Sequence, residues 1–240
     1  MGIELDNDSL SYLADHAGVA GSKLPPLTEL SKTLGISVSK LREQMEVARA
    51  LGLVEIRPRT GIQTRLYSLF PGLRLSLRYA LAAGVGTFQE IKDLREHLET
   101  SFWAEAVQSL TAEDKQELLD LVHRAWAMLR GNPIQIPHAE HRQLHLTIFS
   151  RLENKFVQGI IEAYWDAYEI VGLNMYTDYT YLEDVWSHHE KMAVAIHQGA
   201  YDQGYKALIE HFAILATRPP GSHGLSEEKM ETRTFVQDSV

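Results

Sequence analysis

Leu34-Gly35-Ile36-Ser37-Val38-Ser39-Lys40-Leu41-Arg42-Glu43 joins the end of one amphipathic helix to the start of another. Upstream, Leu24-Pro25-Pro26 stiffens the chain, Thr28 is placed to cap a helix, and Leu27, Leu30 and Leu34 recur on one face. Gly35 stands where a helix closes in the left-handed conformation that glycine tolerates. Ser37 then caps a helix that gathers Leu41, Met45 and Ala48 on one side, and Gly52 ends it. Working back, Asp8 or Ser9 can cap a short helix reaching about His16. Working forward, Leu53–Ile56 and Ile62–Thr64 are β-prone runs joined by the basic turn Arg57-Pro58-Arg59-Thr60-Gly61. Helix, short turn, helix and basic-tipped hairpin make a winged helix-turn-helix.

The charge distribution supports this organisation. The 240-residue chain has a net charge of -9, yet residues 31–65 carry seven bases (Lys32, Lys40, Arg42, Arg49, Arg57, Arg59, Arg65) against Glu43, Glu46 and Glu55. A basic block confined to one segment of an acidic chain is the footprint of a phosphate-binding face. Ser37, Ser39, Lys40 and Arg42 lie at the N-terminal end of the second helix of the pair, where a reading helix meets base edges and phosphates. Arg42 suits a two-point contact to guanine, Ser37, Ser39 and Lys40 suit phosphate, and Arg57 and Arg59 at the hairpin tip suit the backbone or minor groove.

From about Tyr67 to Ala216 the pattern is helical throughout, with segments near 72–83, 87–108, 111–130, 138–152, 154–174, 181–198 and 201–216. The fold class is therefore mainly α, a winged helix-turn-helix followed by an antiparallel all-α bundle. The expected division is 1–66 for the head, 67–86 for a connecting segment, 87–217 for the bundle and 218–240 for a disordered polar tail. Composition, 45% apolar and 23% charged, excludes whole-chain disorder, and no apolar run approaches the ~18 residues of a spanning helix. The absence of cysteine excludes disulfides, thiolate metal sites and cysteine nucleophiles and fits a cytoplasmic location. The acidic N-terminus lacks the basic and apolar regions of an export signal.

Histidine, with eleven copies, is the unusual residue. His141 and His145, four apart on one helix, project from one face about a turn apart, a spacing that lets both hold one metal ion. His189 shares an inward stripe with Met192 and Ile196, and His211 shares one with Leu208 and Leu215. His138 lies on the face of His141 and His145, and His188 adjoins His189, so periodicity alone leaves the ligand set open. Arg95 is placed to pair with Glu99 one turn on.

The head resembles that of GntR-type bacterial regulators. The resemblance is carried by Leu24-Pro25-Pro26-Leu27-Thr28-Glu29-Leu30, by Leu34–Glu43, and by Ala50-Leu51-Gly52-Leu53-Val54 with Gly61 at the wing glycine. Val38 departs from the Arg that many members place after the capping Ser, which implies the loss of one base or phosphate contact. The bundle resembles the FCD-type ligand domain of the FadR subfamily. It matches through Leu94-Arg95-Glu96-His97-Leu98-Glu99, His141 and His145, Ser150 to Asn154, and a helix bearing His189, Ala195 and Gly199 before a final His211.

That resemblance selects His141, His145, His189 and His211 as ligands of a divalent ion, with His141 where an Asp is usual. It also implies a small organic-acid effector beside the ion, contacted by Arg95 and Asn154 with Tyr164, Trp165 and Tyr168 nearby. Replacing Asp by His raises the net charge of the loaded site from about +1 to about +2 and suits zinc, or alternatively nickel. The expected protein is a cytoplasmic, homodimeric repressor of double-stranded operator DNA, with no catalytic residues and no membrane partner. Two rivals are a regulator for which the metal is itself the signal and a helical-bundle metalloenzyme.

Overall fold

A computed structural model describes residues 5–16, 20–57, 61–172 and 178–216, with side chains to 214. The chain divides into two units between Tyr79 and Ala80. The first contains α1 (Asp8–Asp15), α2 (Leu27–Leu34), α3 (Val38–Ala50), β1 (Val54–Arg57), β2 (Gly61–Thr64) and the start of α4 (Phe70–Ala83). β1 and β2 pair antiparallel in the register Val54↔Thr64 to Arg57↔Gly61, and Lys23 bridges to Gln63 at the outer edge. The core is Leu13, Leu24, Leu30, Leu41, Met45, Ala48, Val54 and Ile62, so the apolar faces expected of α2 and α3 do point inward.

Two caps differ from expectation. Asn7, rather than Asp8 or Ser9, caps α1, its side chain accepting from the Leu10 N–H, while Asp8 turns to Lys40 and Gln44 of α3. Pro26, rather than Thr28, occupies the cap of α2, since its fixed φ of -52° leads into the helix and its carbonyl accepts from the Glu29 and Leu30 N–H groups. Ser37 caps α3 as expected, accepting from the Lys40 N–H. Gly52 needs its lack of a side chain twice over. Its φ is +73°, and a Cβ there would lie 2.5 Å from Pro71 Cγ.

The second unit holds α5 (Phe88–Gln108), α6 (Ala112–Leu129), α7 (His138–Ile148), α8 (Lys155–Ile170), α9 (Tyr179–His197) and α10 (Tyr201–Ala216). α9 packs on α10 and α6, α5 on α8 and α10, and α7 on α6 and α8. Capping boxes Thr87–Glu90 and Thr111–Asp114 start α5 and α6. α7 stops four residues short of its expected end. Gln158 Nε2 reaches back to the carbonyls of Ser150 and Leu152 at 2.8 and 2.9 Å, which replaces the helical bonds those groups would otherwise need. No described helix is long and apolar enough to cross a membrane. The expected tail, 218–240, lies outside the described residues.

Candidate functional site: a basic reading head and a four-histidine centre

On the head, Ser37, Ser39, Lys40 and Arg42 are exposed together along the first turn of α3. Ser37 Oγ is occupied as a cap acceptor, 3.1 Å from Lys40 N, but its proton stays available for an anion. Lys40 Nζ pairs with Asp8 at 2.9 Å, so that ion pair would have to open for Lys40 to meet a phosphate. Arg42 has no hydrogen bond or ion pair among the described residues. On the wing, Arg57 and Arg65 share Glu55, and Gly61 adopts φ +87°, which only glycine takes without strain. Arg59 lies outside the described residues.

In the bundle, three helix faces meet at His141 and His145 of α7, His189 of α9 and His211 of α10. One ligand nitrogen from each lies within 4.8 Å of the others. The imidazole centroids are 4.4 to 6.1 Å apart, and three of the rings are fully enclosed while His141 is 8% exposed. Tertiary packing separates these four from their neighbours. His188 faces Asp184 and Glu210 instead, and His138 lines a cleft outside His141. That cleft, bounded by Pro137, Tyr168, Tyr181 and Trp186, has a volume of about 10 Å³, the size of a single water.

The donor set fits a divalent ion on its own chemistry. His141 Nε2, His189 Nδ1 and both nitrogens of His211 are buried with no hydrogen-bond partner, a costly arrangement that an ion removes. Burial first, then the neighbouring imidazoles and Arg95, hold His141 and His211 well below the usual imidazole value, and His189 likewise. His145 is lowered by burial, with Glu99 opposing the shift. All four are therefore neutral near pH 7, the form that coordinates.

The metal-free protein should lose stability in acid. The unfolded chain takes up protons near pH 6.5 at these positions while the folded chain does not. Stability should thus be complete above about pH 6.5 and fall below it, by up to about 1.4 kcal/mol per pH unit for each such histidine. Urea denaturation of chelator-treated protein at pH 7.5 and 5.5 checks this, and a flat profile would contradict it.

Arg95 and Glu99 complete the centre. Both are wholly buried on α5, with Arg95 Nε 2.6 Å from Glu99 Oε1 and Nη2 3.1 Å from Oε2. The guanidinium is enclosed by the rings of Tyr164, Trp165 and Phe212 at 4.5, 5.3 and 5.3 Å, and its Nη1 has no hydrogen-bond partner. Burial would raise the Glu99 carboxyl, but Arg95 and His145 outweigh it and lower it to about 2. Of the two roles open to Arg95, the ion pair with Glu99 is formed, and Nη1 is left as a donor without a partner.

Asn154 is different. Its Oδ1 accepts from the Phe156 and Val157 N–H groups at 3.1 and 3.2 Å, so the carbonyl expected beside an effector serves as the cap of α8. Sequence reasoning saw Glu99 only as an ion-pair partner and missed its contact with His145, 46 residues away. No local pattern signals that contact.

Comparison with known proteins agrees with this architecture. Residues 90–213 match the FCD domain family, which spans the four histidines, Arg95 and Glu99. The chain is 24% identical over 200 residues to the Uxu operon regulator of Haemophilus influenzae, covering 80% of this chain and 71% of that one. It shares its fold with a GntR protein of Streptococcus agalactiae, at a TM-score of 0.63 and 18% identity over 86% of this chain and 94% of the other. With an FCD domain behind a winged helix-turn-helix head, this chain belongs to the FCD-type transcriptional regulators of the GntR family.

Proposed function

We propose that this regulator binds double-stranded operator DNA as a homodimer in the cytoplasm, represses transcription there, and is controlled by a divalent ion held by His141, His145, His189 and His211. The observation that carries the proposal is the set of four neutral imidazoles converging in a buried centre where ring nitrogens lack partners. Zinc suits an all-imidazole set, with nickel the alternative. Neutral ligands leave the ion's +2 charge intact, and Arg95 Nη1 is an open donor nearby, so the centre favours a compact organic anion as effector. The Haemophilus relative is a regulator of an operon, which supports control of a small gene set by this chain as well.

The narrowness of the cleft at His141 favours a second reading in which the ion alone is the signal. Measuring operator affinity with and without chelator, and with and without a panel of small carboxylates, separates the two. A response to chelator alone favours the ion as signal, a response needing both favours the anion, and no response to either sinks both.

For the head, Arg42→Ala is expected to relax preference at one base position at a cost of about 1–3 kcal/mol. Arg59→Ala should weaken all sequences alike and flatten the salt dependence. Binding assays on randomised operators at two salt concentrations read both effects. Unchanged affinity and preference in both variants would mean that α3 and the wing do not read DNA.

A further inference from the structure

We propose that Glu99 is the positioning residue of the histidine centre, holding His145 as its Nδ1–H tautomer so that the Nε2 lone pair faces the ion. The inference rests on reading the four histidines as an ion centre and adds to it a residue that touches no ion itself.

The geometry sets the tautomer. Glu99 Oε2 lies 3.1 Å from His145 Nδ1, and His145 Nε2 lies 3.1 Å from His189 Nε2. An ionised carboxylate can only accept, so the proton in the first contact sits on Nδ1, and a neutral imidazole has no second proton for Nε2. Arg95 Nη2, a donor only, lies 3.0 and 3.2 Å from the two ring nitrogens. Nearly equidistant from the two, it stands over the ring face and off the in-plane lone pair of Nε2. The lone pair therefore projects to the side where His189 stands.

Two further features single out Glu99. Among the described residues it is the one fully buried carboxylate, and it lies in a space that already holds the Arg95 cation and would receive a doubly charged ion. Its rotamer is also fixed by the two-point grip of Arg95, itself boxed in by aromatic rings. An oriented carboxylate behind a ligating imidazole raises the basicity of the ring and prevents it from turning, and loss of such a partner commonly weakens metal binding about 10–100-fold.

The test uses full-length protein labelled with ¹⁵N-histidine. In metal-free wild type, two-bond nitrogen–proton correlation should show His145 as the Nδ1–H form. Competition with a chromogenic chelator should show Zn²⁺ bound about 10–100-fold more weakly by Glu99→Gln at unchanged stoichiometry. Glu99→Gln strands a buried guanidinium and can fail to fold, so the paired variant Arg95→Met, Glu99→Gln is measured beside it and is expected to show the same weakening. A wild-type His145 protonated on Nε2, or folded variants within twofold of wild-type Zn²⁺ affinity, would overturn the proposal. A wild type that binds no Zn²⁺ at all would instead remove the ion-centre reading, and this inference with it.

Discussion

Glu99→Ala is expected to cost the folded protein about 3–5 kcal/mol, because it leaves a charged guanidinium in a wholly buried site with no counter-charge. Arg95 keeps its three aromatic neighbours in that variant, but ring faces do not replace two carboxylate hydrogen bonds. His145 loses its acceptor as well. The paired variant Arg95→Met, Glu99→Met should recover most of the loss, since two apolar chains of similar length fill the space without stranding a charge. Chemical denaturation of wild type, Arg95→Met, Glu99→Met and the pair gives a coupling energy directly. If Glu99→Ala costs less than about 1 kcal/mol, water or a rearranged partner has replaced the carboxylate and the pair does not hold the bundle together.

His211→Ala should separate regulation from DNA binding. His211 is fully buried and neither of its ring nitrogens has a hydrogen-bond partner, so in the metal-free protein it contributes packing but no polar interaction. In the proposed ion centre it would supply one of four ligands. Structural zinc sites of four ligands yield about 10–16 kcal/mol, so losing one ligand should lower ion affinity more than a hundredfold, by roughly 3 kcal/mol. The operator affinity of the metal-free protein should be unchanged, because no DNA-facing residue is altered. The regulatory response, a coupling of roughly 1–3 kcal/mol in the wild type, should disappear. His188→Ala is the matched control, since that ring is bonded to the Asp184 carbonyl and stands outside the four. Competition with a chromogenic chelator and fluorescence anisotropy on an operator fragment read both quantities. A His211→Ala protein that binds the ion within tenfold of wild type would remove His211 from the ligand set.

Linkage makes the allosteric reading testable from the other side. If the ion or its anion alters operator affinity, saturating operator must alter ion or anion affinity by the same factor. An ion affinity indifferent to operator would break the connection between the two units even with both binding activities present.

The order and type of elements were legible in the sequence because they depend on neighbours within a turn or two. Leu41, Met45 and Ala48 lie on one face of α3 at helical spacing whatever the rest of the chain does, and all three are buried. Gly35 closes α2 at φ +67° because no other residue takes that conformation cheaply. The pairing of His141 with His145 across one turn is local in the same sense. Helix ends were less legible, since competing partners decide them. Asn7 and Pro26 displaced the expected caps, and Gln158 closed α7 early from nine residues beyond Phe149.

What only the tertiary structure decided was which side chains share a centre and which atoms face each other. Periodicity left His138 and His188 beside the four histidines, and a helical face spans too wide an arc to exclude either. The rotation of α7, α9 and α10 about their axes, set by packing throughout the bundle, turned those two away. Nothing near Glu99 in the chain points to His145, and nothing near Asn154 distinguishes a cap from a ligand contact. Both depend on where a carboxylate or carbonyl ends up after six helices have packed, and a difference of one ångström there separates a hydrogen bond from none.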